Sequence, residues 1–501
     1  MYRIKLTVLA FLVFYCLLVI PVSGGVNSVM QKTHETEQNS FKDAANFGFS
    51  PLATGKENVV ALQKAVDRGG TIIVSIPGTY KMAGTVYIGS NTSLIFGNNI
   101  SLKKVNEGRD FTHVFLNKGA LTKTYDKHIS IEGLHIIVNG IDKDMTEVYG
   151  LRGQLAFFYI KDLIIKHFRC YDLAGSQFCI QVCTFEDIII DDVIIHGKKD
   201  GIHLGRGTRF TIRNGVFKCF DDAIALNAHD YATSNPELGW IENGIVENCY
   251  DLNEEKTVGY FCRILAGAWL DWTPDMEVQH SDAVVSNGRL YRIQEKPDGT
   301  IYKSETQPKH KSGSQKLDGI NWVVVQDDIT YTAGVRNVSF RNIFLEKPRI
   351  GFSIHFDNDK FSRSYYPGAE IPVQEQLTFD NIRVLYDEPI NLISVNTPVD
   401  ILTISNSSIR DNTIKFHGNK AMTNYLKTQI NIYGCTFRKD GKLKLITNSV
   451  KGKEIILKTN SNIALKDNFS ATVVPGDGKV IVESDLTGLK DKKVFSKDAQ
   501  K

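Results

Sequence analysis

The sequence predicts an all-β fold: a right-handed parallel β-helix with a short N-terminal capping helix and an inserted antiparallel β module. Three observations carry that expectation. From Thr71 to about Arg438 the chain is a succession of short β-branched runs punctuated by Asn, Asp and Gly. Many runs pass through Asn or Asp into a second apolar run, as in Phe210-Thr211-Ile212-Arg213-Asn214-Gly215-Val216-Phe217 and Val338-Ser339-Phe340-Arg341-Asn342-Ile343-Phe344, which reads as strand, Asn turn, strand. Superposing Asp200-Gly201-Ile202-His203-Leu204 on Asp222-Ala223-Ile224-Ala225-Leu226 gives an offset of 22 residues, the size of a solenoid coil. Stacked coils pair their strands at ~4.8 Å and share one interior that no coil could bury alone. The competing β-sandwich would need tight Asn-Gly hairpins and cleaner polar/apolar alternation than most of these runs show.

In chain order, Met1-Tyr2-Arg3-Ile4-Lys5 is basic, Leu6 to Val22 is apolar, and Ser23-Gly24-Gly25 supplies small residues for cleavage. Residues 1–25 therefore read as a signal peptide, with a short uncleaved anchor as the alternative. The product is expected to be secreted, periplasmic or extracellular, with no membrane attachment after cleavage. A polar segment covers 26–43. Asn58 to Val66 has apolar residues at helical spacing, and the coils follow, giving a β-helix domain over 44–440. Residues 264–325 break the cadence: Asn287-Gly288 lies between two β runs, a hairpin signal, so an antiparallel module is expected over about 266–325. Its Trp272, Tyr291 and Trp322 either form an aromatic platform for sugar rings or are the module's own core. Residues 441–501 are Lys-rich with weak strands and read as a capping strand region and tail.

Composition narrows the function. With 59 Lys+Arg against 56 Asp+Glu the net charge is +3, too slight for a nucleic-acid partner held by phosphate neutralisation. The seven cysteines beyond the signal segment, Cys170, Cys179, Cys183, Cys219, Cys249, Cys262 and Cys435, include no CxxC pair and outline neither a zinc site nor a disulfide scaffold. They suit a stacked apolar interior, although one or two bridges remain open.

The 22-residue offset places Asp200 below Asp222, with Asp221 alongside. Stacked carboxylates repel and raise one another's pKa, so either a cation neutralises them or chemistry uses them. Glycoside hydrolysis needs a protonated acid for the leaving oxygen and a carboxylate to activate water, ~6.5–9.5 Å apart for inversion. The plain alternative is Asp accepting turn hydrogen bonds at coil corners.

Lys199-Asp200-Gly201-Ile202 resembles the Asn-Thr-Asp-Gly motif of family 28 glycoside hydrolases, the polygalacturonases and their relatives, and Phe220-Asp221-Asp222-Ala223-Ile224-Ala225-Leu226-Asn227 resembles their Asp-Asp-Cys-Ile-Ala motif, with agreeing spacing. Upstream, Ala61 to Val66, Gly69-Gly70-Thr71-Ile72-Ile73-Val74 and Pro77-Gly78-Thr79-Tyr80 are similar to the cap and first coil of pectate-lyase-like β-helix proteins. The resemblance implies an inverting hydrolase with Asp221 as general acid and Asp200 and Asp222 activating water. Three departures stand out: Lys199 replaces the family's Thr and stacks on Asp221, no Gly-His-Gly follows Asp222, and Cys262-Arg263-Ile264-Leu265 keeps the Arg of Arg-Ile-Lys but not its Lys. They point away from polygalacturonate more than from glycosidase chemistry.

Substrate-binding candidates follow from position. Alternation turns His203 outward, where it either meets substrate, tunes an Asp or is simply solvated. His229 lies on the loop after the Asp pair, and Arg263 is the retained cation. His355, Asp357, Arg363 and Tyr365 belong to a strand-then-loop segment that mixes charge with tyrosine, as a sugar site does. The expectation is a secreted hydrolase of a complex or acidic polysaccharide or oligosaccharide, with no metal and no cofactor. Two alternatives are kept: a polysaccharide lyase whose carboxylates hold Ca²⁺, with Arg263 or Lys199 as base, and a non-catalytic glycan-binding β-helix protein.

Overall fold

The computed structural model describes residues 41–142, 147–253, 257–422 and 425–489. The expected signal peptide lies outside the described residues. Among the described residues no helix is long and apolar enough to cross a membrane.

Among the described residues thirty strands form one parallel network whose ladders run from coil to coil, the architecture of a right-handed parallel β-helix. One ladder carries the candidate site: Ile202–Leu204, Ile224–Asn227, Cys262–Leu265, Phe352–His355, Ile393–Val395 and Ile414–Phe416 stack in that order. Ile202 pairs with Ile224, so this coil is 22 residues long. The next two steps pair Ile224 with Cys262 and Cys262 with Phe352, lengthened to 38 and 90 residues by what is inserted between them.

Side chains at alternate positions fill the interior, where Phe340 and Phe379 stack at 5.4 Å and Phe352 meets Phe379 edge-on at 4.6 Å. The corners differ from the strand-turn-strand expectation. Asn214 lies inside the continuous strand Gly207–Cys219, and Asn342 inside Val335–Leu345. Each corner is a single residue in the left-handed region, at φ of 55° for Asn214, 54° for Asn248, 52° for Asn342 and 51° for Asn381. Asn tolerates that conformation, and here the amides also bond along the stack: Asn248 to Asn214, Asn342 to Asn248 and Asn381 to Asn342.

The helix Gly55–Val66 covers the open end of the first coil and starts three residues earlier than the apolar spacing suggests. The reason is a capping box: Thr54 accepts from the Glu57 N–H while the Glu57 carboxylate accepts from the Thr54 N–H. Ala61, Leu62, Ala65 and Val66 are its buried face. Lys42–Asp43, within the segment read as polar, already pairs with Ile72 and Ile73.

The coils also run past residue 440, a correction to the expected domain end. Glu454–Asn460 and Val480–Glu483 extend one ladder, and Lys442–Asn448 and Ser470–Val474 another. Leu443, Leu445, Ile446, Ile455 and Leu457 are buried while Lys442 and Lys444 are exposed. The Lys-rich composition masked that period-two alternation.

Between Cys262–Leu265 and Val335–Leu345 the chain builds a separate sheet from Leu270–Asp271, Ala283–Ser286, Arg289–Ile293, Ile320–Gln326 and Ser314–Leu317. Asn287 (φ 47°) and Gly288 (φ 75°) both take the left-handed conformation that a two-residue hairpin needs. Tyr291 and Trp322 are fully buried with Val278, Val284, Ile293 and Ile320, so they are the module's core and no platform. Half-buried Trp272 packs on that core and donates to Ser304 Oγ at 2.9 Å. All seven described cysteines are buried free thiols.

Phe379 sits fully buried at the centre of the aromatic stack. Phe379→Ala is expected to cost ~3–5 kcal/mol through lost burial and a residual cavity, read as a lower midpoint in urea unfolding; an unchanged midpoint would contradict close packing there.

Candidate active site

Along the site ladder, Ile202, Leu204, Ile224, Leu226, Cys262, Ile264, Phe352 and Ile354 enter the core. The positions between them leave His203, Ala225, Arg263 and Ser353 stacked as one outward row. Just before these strands come Lys199-Asp200, Asp221-Asp222 and Gly259-Tyr260, one pair per coil. A Cβ on Gly259 would lie 2.3 Å from the Asp221 carbonyl carbon and 2.5 Å from the Asp222 nitrogen, so a bare backbone is required there for the third coil to close over the Asp pair. That closure lets the Tyr260 N–H donate to Asp222 Oδ1 at 2.8 Å.

The register brings Asp200, Asp221 and Asp222 together, with one oxygen of each within 4.8 Å of the others. This is tighter than the ~6.5–9.5 Å expected between acid and base of an inverting pair. Asp200 and Asp222 are buried, whereas Asp221 keeps 22% of its side chain accessible and is the carboxyl that faces solvent. The Lys199 ammonium bonds to Asp221 and lies 3.7 Å from Asp200. It supplies the positive charge that the lyase alternative assigns to Ca²⁺, and a divalent ion would have to displace it.

The environments push the three acids apart. Burial opposes ionisation of Asp200, but the Lys199 charge, the His203 hydrogen bond and Arg263 outweigh it and hold Asp200 well below the usual carboxylate range. Burial and the Asp200 charge raise Asp221 despite Lys199. Burial, with the charges of Asp200 and Asp221, raises Asp222 well above the ordinary value. Asp200 is thus shifted toward the carboxylate form, and Asp221 and Asp222 toward the acid form.

His203 corrects its expectation of exposure, since it has no accessible surface. Its ring stacks on Phe178 at 4.0 Å, Nδ1 faces Asp200 Oδ2 at 3.1 Å and Nε2 faces Asn235 Oδ1 at 3.1 Å. It orients Asp200 and cannot touch substrate. Asn235 belongs to a loop clamped by buried Arg292 of the inserted module, which donates to the carbonyls of Asn235, Asp230 and Tyr231. His229 is also buried, packed beside Trp269 and against Gly267, and is not a surface contact.

Arg263 does join the patch, its Nη2 2.5 Å from Asp357 Oδ2. Burial works against the Asp357 carboxylate, but Arg263 and a His355 hydrogen bond bring it to about 2. His355 places Nε2 3.1 Å from Asp357 and Nδ1 2.9 Å from Ser353 Oγ. Arg363 and Tyr365 do not join them. Arg363 pairs with buried Asp282 and ties this loop to the inserted sheet, and Tyr365 bridges to Ala268 with its ring beside Phe356 at 5.2 Å.

Sequence reasoning missed Tyr260, Asn235 and Phe178. Tyr260 lies above Asp222 by the 38-residue step, which shares no period with the 22-residue one. Asn235 is set by the loop clamp and carries no motif.

No family model matches the sequence, and no curated protein matches it. Among solved structures the chain is similar to PfbA, a surface adhesin of Streptococcus pneumoniae (12% identity over 89% of this chain and 93% of that one, TM-score 0.47). It is also similar to the A-module of the mannuronan C-5 epimerase AlgE4 of Azotobacter vinelandii (11%, 90% and 100%, 0.49) and to an endo-xylogalacturonan hydrolase of Aspergillus tubingensis (12%, 91% and 100%, 0.39).

Burial holds His113 and His229 at about 4, below their ordinary 6.5. The folded pKa is the lower one, so the unfolded chain takes up these protons first; their contribution is intact above 6.5 and is lost as pH falls toward 4. The slope of urea midpoint against pH in that window is expected to be shallower in His113→Gln than in the parent; equal slopes would refute the assignment.

Proposed function

We propose that the protein is an exported glycoside hydrolase that uses Asp221 as general acid and Asp200, assisted by Asp222, as base. The observation that carries this is the splitting of three adjacent carboxyls into an ionised Asp200 and a raised, solvent-facing Asp221. Carboxyls whose surroundings drive their pKa values apart are suited to acid and base roles at one pH.

In the proposed step the Asp221 proton passes to the glycosidic oxygen as the bond from the anomeric carbon to that oxygen breaks. A water held by Asp200 and Asp222 attacks the anomeric carbon and gives its proton to Asp200. Asp221 ends as carboxylate and Asp200 as acid, and proton exchange with solvent restores both. Lys199, bonded to Asp221, stabilises the carboxylate that forms when the proton leaves. Because the three carboxyls are closer than in the usual inverting pair, inversion here requires two of them to hold the water together while the third protonates the leaving oxygen.

Asp221→Asn is expected to lower the rate of reducing-end release by ~10²–10⁴-fold, the range for losing a general acid, with unfolding midpoint retained. Products carry no unsaturated-uronate absorbance, chelator has no effect, and the first product seen by proton NMR has the inverted anomeric configuration. Absorbance that disappears with chelator would replace this reading with a lyase; first products of retained configuration would make one carboxylate a nucleophile.

A further inference from the structure

Lys199 and Arg263 act on the three carboxyls and each already has an acidic partner, while Arg349 donates to the Asp221 backbone carbonyl at 2.7 Å and is paired with Asp251. Lys199 is bonded to Asp221 and lies 3.7 Å from Asp200. Arg263 gives Nη2 to Asp357 at 2.5 Å, its Nε is buried, and only 11% of its side chain is accessible. A second carboxylate would have to share that guanidinium with Asp357. Asp230 bears on Arg263 and also on Arg292, so five carboxyls (Asp200, Asp221, Asp222, Asp230 and Asp357) surround three cations. Further out, Arg152 lies over the Phe178 ring at 4.5 Å and Arg363 is paired with Asp282.

Uncharged groups also border this cluster. Tyr231 and Tyr260 are half-buried, with burial as the first cause raising both phenols, so both stay neutral hydroxyls, and Tyr260 is already hydrogen-bonded with Ser353. The Tyr260 ring lies 5.4 Å from His355, and the exposed Phe361 ring lies 6.2 Å from Tyr231. Hydroxyls and an apolar ring face suit a pyranose without a carboxyl group. A uronate would set its carboxylate against the acidic cluster, where Lys199 and Arg263 are already engaged by Asp221 and Asp357, and like-charge juxtaposition of that kind is strongly unfavourable.

We infer that the subsite at Asp221 takes an uncharged sugar, and that Asp357 excludes uronates by holding Arg263. This rests on the hydrolase reading of the same site and narrows the complex or acidic glycan expected from sequence to a neutral one. It also gives Asp357 a role in specificity: removing its charge releases a guanidinium for a substrate carboxylate.

The test measures binding apart from turnover. Asp221→Asn is titrated calorimetrically with neutral gluco-, galacto- and xylo-oligosaccharides and with oligogalacturonate and oligoglucuronate of matched length, and the parent enzyme is assayed on the same panel. At least one neutral series is expected to bind ~10-fold or more tightly than either uronate. Asp357→Asn, in the same background, is expected to raise uronate affinity ~10-fold, a gain that Arg263→Gln then removes. Uronate binding as tight as neutral binding in the Asp221→Asn protein overturns the inference, as does a folded Asp357→Asn variant without the gain. Neutral glycan bound but never cleaved by the parent overturns the hydrolase reading and leaves the inference standing. Binding of neither class overturns both.

Discussion

The parallel pairing of Ile202–Leu204 with Ile224–Asn227 is the constraint on which the site depends. It sets Lys199 against Asp221 and Asp200 against Asp222, one coil apart, and thereby creates both the repulsion and its partial neutralisation. A slip of one residue by the strand Ile202–Leu204 would send His203 into the core and expose Ile202 and Leu204. The apolar interior therefore enforces the register, and the acidic cluster is held by burial elsewhere in the coil.

What distinguishes the three carboxyls is their access to water and charge. Asp200 has Lys199 and His203, Asp222 has the Tyr260 backbone N–H, and Asp221 has Lys199 and solvent. The inserted sheet takes part at a distance. Its Arg292 holds the loop that carries Asn235, Asn235 faces His203, and His203 faces Asp200. The inserted module, read from sequence as an antiparallel unit over about 266–325 with no link to the acids, is thus mechanically connected to the base of the site.

Much of the solenoid was legible in the sequence because its cause is local. A one-residue corner wants Asn, the strands between corners want β-branched residues at alternate positions, and a 22-residue coil repeats that demand visibly. The Asp cluster was legible for the same reason, since its members fall in two consecutive coils of equal length. Where charged residues alternate with apolar ones, as in Lys442–Asn448, composition hid a pattern that burial reveals.

The coil repeat, the Asn corners, the stacking of Asp200 with Asp222 and the approach of Lys199 to Asp221 all follow from short-range periodicity along the chain. That Tyr260 closes over Asp222 after 38 residues, that Arg263 is held by Asp357 across 94 residues, and that His203 and His229 are covered emerges only once the insertions have folded back onto the coils. Long insertions carry no period, so the chain returns to the ladder at a point that its local sequence does not announce. The charge available to a ligand is then settled by which buried acids those insertions deliver to Lys199 and Arg263.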